Sequence, residues 1–236
     1  MIHATLLILT LLLAPAPSRA ATPLLPPCRI ADETAAHAGD ADWASTIIDT
    51  ARRLPASYTP SDLRSLDGTG VAVAKRGMLL RALVLDDLRA LDRAARAAGV
   101  RIVVWSAYRS EAYQAGLFAR AVHSSGHAAA LRYTARPGHS EHQLGTTLDL
   151  GTRGQPIPSA ASNWGATRTG AWVNANAYRF GFIRSYPAAR AGEGHTNPRT
   201  CYGAEAWHFR YVGRERATAV HASGLALREW LWRHVR

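Results

Sequence analysis

Three stretches of the chain carry side chains suited to acid–base or metal chemistry. HSEHQLGTTLDLG (139–151) places His142 and Asp149 seven residues apart, with small residues between them. EAWHFRYVG (205–213) places Glu205 three residues before His208. Two imidazoles, one carboxylate and an open position form a ligand set suited to one catalytic zinc ion. A further carboxylate just outside that set can take a proton from an attacking water, as a hydrolase requires. The same donor types build the facial triad of non-haem iron oxygenases. In that pattern the first histidine and the acid usually lie two apart, and an acid beside the last ligand suits hydrolysis better, so zinc is favoured. The third stretch, SAYRSEAYQ (106–114), offers Arg109 at the end of an apolar run. A guanidinium there can bind a carboxylate or stabilise an oxyanion. Gln114, one turn further on, can face the same way. Taken singly, each of these groups is as well explained by a packed histidine or a surface arginine.

The elements that must position these groups follow from periodicity. VRIVVWSAY (100–108) predicts a buried strand, and the following segment a helix with Ser110 as its N-cap and Gly126 as its stop. The 139–151 stretch reads as partly strand. Leu144, Thr146, Leu148 and Leu150 then share a core face, while Gly145, Thr147 and Asp149 share the other and leave room above it. Alternation predicts a strand over 205–213. Helices are predicted over 42–54, 78–99 and 225–235, with a loop at 55–70, and a helix ending near Gly181 before a short strand. Helices and short strands mix without a regular βαβ rhythm, so the fold class is α+β, a compact single domain.

Composition bounds the setting. The 236 residues are 47% hydrophobic, enough for an ordinary globular core. The formal charge is +11, nearly all of it from arginine, since Lys75 is the only lysine. Such a surface favours anionic partners without choosing among nucleic acid, membrane and acidic wall polymer. Residues 1–20 read as an export signal with a small-x-small site at Ser18-Arg19-Ala20, residues 21–40 as an extended arm, and 41–236 as the domain that carries the three stretches. Export would put the protein in the periplasm, cell envelope or medium, with no membrane span after processing. Cys28 and Cys201, the only cysteines, would in that setting more often be bridged than free, clipping the N-terminal segment near residue 201. His139, His123, His127 and His195 read as loop histidines, Trp207 as a cleft wall, and Trp230 and Trp232 as core.

SAYRSEAYQ, PGHSEHQLGTTLDLG, WVNANAYRFGFIRSYP and EAWHFRYVG, in that order, resemble the VanY-type zinc D-alanyl-D-alanine carboxypeptidases, bacterial cell-wall peptidases with S-x-H-x-x-G-x-A-x-D and E-x-W-H motifs. The likeness runs over roughly residues 78–213. It implies His142, Asp149 and His208 as zinc ligands, Glu205 as catalytic base and Arg109 as a catalytic cation. It also implies substrate contacts from Gln114 and Ser140, and a zinc cleft over a small antiparallel sheet flanked by helices. Two departures stand out. Thr147 replaces the usual Ala, which predicts a tighter pocket, and GFIRSYP spaces its arginine and tyrosine unusually, which leaves Arg184 without an assigned role. The implied activity is removal of the terminal D-Ala from peptidoglycan stem peptides. Alternatives on the same fold are a D,D-dipeptidase, an L,D-carboxypeptidase or a stem-peptide endopeptidase; a non-catalytic binder of anionic polymers is the rival from another class. A monomer is expected, with the stem peptide rather than nucleic acid as partner.

Overall fold

Leu148 and Leu150, two apart on one strand, both sit at 0% exposure, so period-two alternation buries one face of that strand. The computed structural model describes residues 24–159, 163–188 and 197–235. The described strands are β1 (Glu33–Thr34), β2 (Arg52–Arg53), β3 (Leu63–Ser65), β4 (Leu79–Arg81), β5 (Ile102–Ser106), β6 (Thr147–Thr152), β7 (Phe182–Arg184) and β8 (His208–Tyr211). The helices are α1 (Leu85–Ala97), α2 (Glu111–Ser125), α3 (His127–Tyr133), α4 (Arg168–Asn176), α5 (Arg214–Ser223) and α6 (Leu227–His234). Four strands form an antiparallel sheet in the order β5-β6-β8-β7. One face of that sheet packs Leu148, Leu150, Phe182 and Phe209 against Leu88, Leu91 and Ala95 of α1 and Val173 of α4. The other face carries Asp149 and His208. This is the α+β arrangement that the mixed pattern implied.

Helix α2 starts and stops where its signals lie. The Ser110 side chain accepts from the Tyr113 amide, and Gly126, at φ +81°, ends the helix. Two expectations fail. The predicted helix at 78–99 begins only at Leu85, because Leu79–Arg81 pairs with Leu63–Ser65 inside the expected loop. Arg81 is buried there, with Nε 2.7 Å from Asp62 and its amide donating to Gly145 O. Tertiary pairing overrides leucine-rich helix propensity. Residues 42–54 form a turn, an irregular segment and β2 instead of a helix. The Asp49 carboxylate takes the amides of Ala51 and Arg52, while Trp43 O and Thr46 O accept from the buried Arg210 rather than from their own helix.

The first described residues fold back on the domain. β1 pairs with β2, and Cys28 is disulfide-bonded to Cys201, closing a separation of 173 residues. The expected export signal at 1–20 lies outside the described residues. Among those described, no helix is long and apolar enough to cross a membrane. Trp230, partly buried, packs against the core cluster of Ile183, Val212 and Leu227, whereas Trp232 departs from the core role expected of it: it is partly exposed, and its Nε1 donates to Leu24 O of the arm.

Candidate active site

The central sheet brings the two motifs together through register. Asp149 on β6 lies directly opposite His208 on β8, so their side chains rise from the same face as a cross-strand pair. His142 arrives differently. It lies in a 3-10 turn, Glu141–Leu144, that Gly145 closes at φ +69°. A Cβ there would meet Arg81 Cγ at 2.9 Å and Pro60 Cγ at 3.0 Å, so both backbone sign and packing call for glycine. The turn also moves Leu144 out of the sheet face expected for it, into a separate cluster with Ile48, Leu54 and Tyr58.

Each histidine is oriented by a partner behind it. His142 Nδ1 lies 2.7 Å from Ala107 O, and a carbonyl only accepts, so Nδ1 carries the proton and Nε2 is left as a ligand atom. That Nε2 is buried, has no well-formed hydrogen bond, and lies 3.3 Å from Asp149 Oδ2. His208 Nε2 is 3.0 Å from Glu141 Oε2, which turns Nδ1 toward Asp149 Oδ1 at 3.2 Å and Glu205 Oε2 at 3.5 Å. One donor atom each from His142, Asp149 and His208 falls within 4.8 Å of the others. Nitrogen donors of two imidazoles with one carboxylate oxygen, two of the atoms buried without well-formed partners, fit a metal ion of the zinc type.

The electrostatics point the same way. Burial would lower His208, but its contacts with Asp149 and Glu141 and the nearby Glu205 raise it to about 10. The centre thus demands a positive charge between its acids. Burial and then the Arg109 charge lower His142 to about 4, holding it neutral as a ligand must be. Burial raises Glu205 to about 7, with His208 opposing. Burial would raise Asp149 too, but His142 and His208 hold it well below the usual carboxylate range.

Around this centre lies a cleft of about 260 Å³. Arg109, Gln114, Ser140, Asp149, Glu205 and His208 all line it, so residues from α2, three loops and two strands converge. His142 stands behind, its ring 5.0 Å from that of His208. The Gln114 amide is fixed by Nε2 donating to Ala135 O, and its buried Oε1 remains without a partner. Trp207 walls the cleft as expected. Thr147 is fully buried opposite Arg210 and is not among the cleft's lining residues, so it does not narrow the opening.

Three participants escaped the sequence reading. Glu141 is 5% exposed and bridges His208 to Arg210, whose Nη1 donates to Oε1 at 3.0 Å. Burial would raise this carboxyl, but Arg210 and His208 bring it down to about 2. Its position beside His142 in HSEH was visible, yet nothing in the spacing says that it points inward. Tyr186 and Tyr202 line the cleft, with the Tyr186 ring 4.6 Å from that of His208. His139 is no plain loop histidine: it is fully buried, with ring nitrogens at Asp49 O (2.8 Å) and Asp32 Oδ1 (3.0 Å).

The chain matches the family model described as VanY, D-alanyl-D-alanine carboxypeptidase, over residues 77–214, more than half its length. It is 34% identical over 180 residues to YodJ of Bacillus subtilis, covering 75% of this chain and 63% of that protein, less than two thirds of the relative's length. Among solved structures, the LdcB LD-carboxypeptidase is similar with a TM-score of 0.68 and 32% identity, covering 79% of this chain and 84% of that one. A variant of the vancomycin-resistance D,D-pentapeptidase VanY in complex with Zn(II) is similar with a TM-score of 0.64 and 32% identity, covering 80% and 99%.

Proposed function

Because the chain belongs to the VanY D-alanyl-D-alanine carboxypeptidase family, we propose that it is a zinc-dependent D,D-carboxypeptidase that removes the terminal D-Ala from peptidoglycan stem peptides outside the cytoplasm. The observation that carries this reading is the convergence of the His142, Asp149 and His208 donor atoms within 4.8 Å, with Glu205 Oε2 3.5 Å from His208. His142, Asp149 and His208 would hold the zinc. When bound, zinc supplies Lewis acidity and a water of lowered pKa.

The remaining chemistry belongs to the chain. Glu205 accepts a proton from the attacking water and returns it to the amine of the departing D-alanine. Arg109, its Nε buried without a hydrogen-bond partner, offers a cation to the substrate carboxylate or to the developing oxyanion. Gln114 and Ser140 orient the peptide, and the free Gln114 Oε1 suits a substrate N–H. The likeness to LdcB supports a second reading, an L,D-carboxypeptidase built on the same centre.

The test offers the full chain a stem pentapeptide ending in D-Ala-D-Ala and a tetrapeptide ending in a single D-Ala, and measures released D-alanine with zinc, with chelator, and for Glu205→Gln. Zinc-dependent release from the pentapeptide, reduced roughly 10²–10⁴-fold in the variant, is expected. Release from the tetrapeptide alone would favour the L,D reading. Release that survives both chelator and the variant would overturn the metal mechanism.

A further inference from the structure

A second pocket, of about 260 Å³, lies beside β7, between α4 and the turn joining α5 to α6. It is separate from the catalytic cleft. Arg184 pairs with Phe209 across the sheet, and neighbours alternate faces, so its side chain leaves on the face opposite His208. Asn174, Tyr178, Arg184, Arg199, His221 and Leu225 line the pocket, and among the described residues no Asp or Glu does.

Two of these groups lack partners among the described residues. Arg184 makes no hydrogen bond or ion pair there, although it is only partly exposed. Burial accordingly lowers its pKa, with no charged neighbour acting on it. Asn174 Oδ1 is buried with no hydrogen bond. Arg199, by contrast, is engaged with Ala188 O at 3.0 Å and lies 3.8 Å from Glu229. Tyr178 and His221 stack at 3.7 Å and form a flat wall. A partly desolvated guanidinium without a counter-charge costs stability, and the fold has many ways to expose an arginine instead.

We propose that this pocket is a binding site for an oxyanion group, phosphate or carboxylate, that also carries a hydrogen-bond donor. Arg184 pairs with the anion and Asn174 Oδ1 accepts from the donor. The formal charge of +11 favours such a ligand at long range. The site is independent of the catalytic reading, since it shares no lining residue with the cleft.

The test is thermal unfolding of the full chain at neutral pH and constant ionic strength, with chloride replaced by inorganic phosphate in one arm and by N-acetylglycine in the other. The parent, Arg184→Leu and Arg109→Leu proteins are compared. At about ten times its dissociation constant, the preferred anion should raise the midpoint by roughly 3–5 °C. The rise should persist in Arg109→Leu and vanish in Arg184→Leu. The arm that responds identifies a phosphate-bearing or a carboxylate-bearing ligand. Without either anion, Arg184→Leu should unfold no earlier than the parent, because it removes an uncompensated charge. A shift lost in Arg109→Leu but kept in Arg184→Leu would place the anion in the cleft and overturn the proposal. No shift in either arm, or an anion-free midpoint several degrees lower in Arg184→Leu, would also overturn it.

Discussion

Replacing Glu141 by Gln keeps the side chain's shape and removes its charge, and two effects follow from its contacts. The carboxylate is the charged partner of Arg210, which is fully buried and otherwise bonded, among the described residues, only to the carbonyls of Trp43 and Thr46. Breaking a buried ion pair costs about 3–5 kcal/mol, and the amide's remaining acceptor puts this change near the lower end. The fold should survive, because domains of this kind are stable by about 5–15 kcal/mol. The second effect falls on His208. Its Nε2 loses a charged acceptor at 3.0 Å, so the ring is held less firmly with Nδ1 toward Asp149. Loss of such an outer partner weakens metal binding about 10–100-fold, equivalent to about 1.4–2.8 kcal/mol. Urea unfolding of the metal-free protein measures the first effect, and competition titration against a zinc chelator measures the second. A Glu141→Gln protein within 1 kcal/mol of the parent (about the size of one ordinary hydrogen bond), with unchanged zinc affinity, would refute both the buried-pair argument and the positioning role.

Other perturbations test the frame around the site. Burial would raise Asp49, but Arg228 Nε at 2.7 Å and the amides of Ala51 and Arg52 hold its pKa below the usual 3.8. Its contribution is therefore present above about pH 4 and lost as pH falls through the folded value; Asp49→Asn should cost about 3–5 kcal/mol at pH 7. That gap should narrow in urea melts at pH 3, and a constant gap would contradict the assignment. Replacing both Cys28 and Cys201 by Ser releases a separation of 173 residues and should cost about 2–5 kcal/mol. Reductant should destabilise the parent and leave that double variant unchanged in the same melts.

Much of this protein was legible in the linear sequence. His142, Asp149, Glu205, His208, Arg109 and Gln114 could be chosen by type and spacing, because metal and acid–base chemistry restrict the donors to a few side chains, whereas Ser140 came only from the family resemblance. The strand at 102–106, helix α2 with its Ser110 cap and Gly126 stop, and the final helix were readable because their signals are local. Tertiary structure decided what depends on contacts distant in sequence. Residues 42–54 lost their helical pattern to hydrogen bonds from Arg210 and to Asp49's own backbone contacts. Leu79–Arg81 became a strand because another strand was available to pair with it. Glu141 turned inward, an orientation set by the 3-10 turn and by Arg210, 69 residues away. Chemistry constrains residue identity locally, whereas burial and orientation are set by whichever distant group satisfies a polar atom. The candidate donor residues were therefore readable in the chain, while the groups that hold them in place emerged only from the folded molecule.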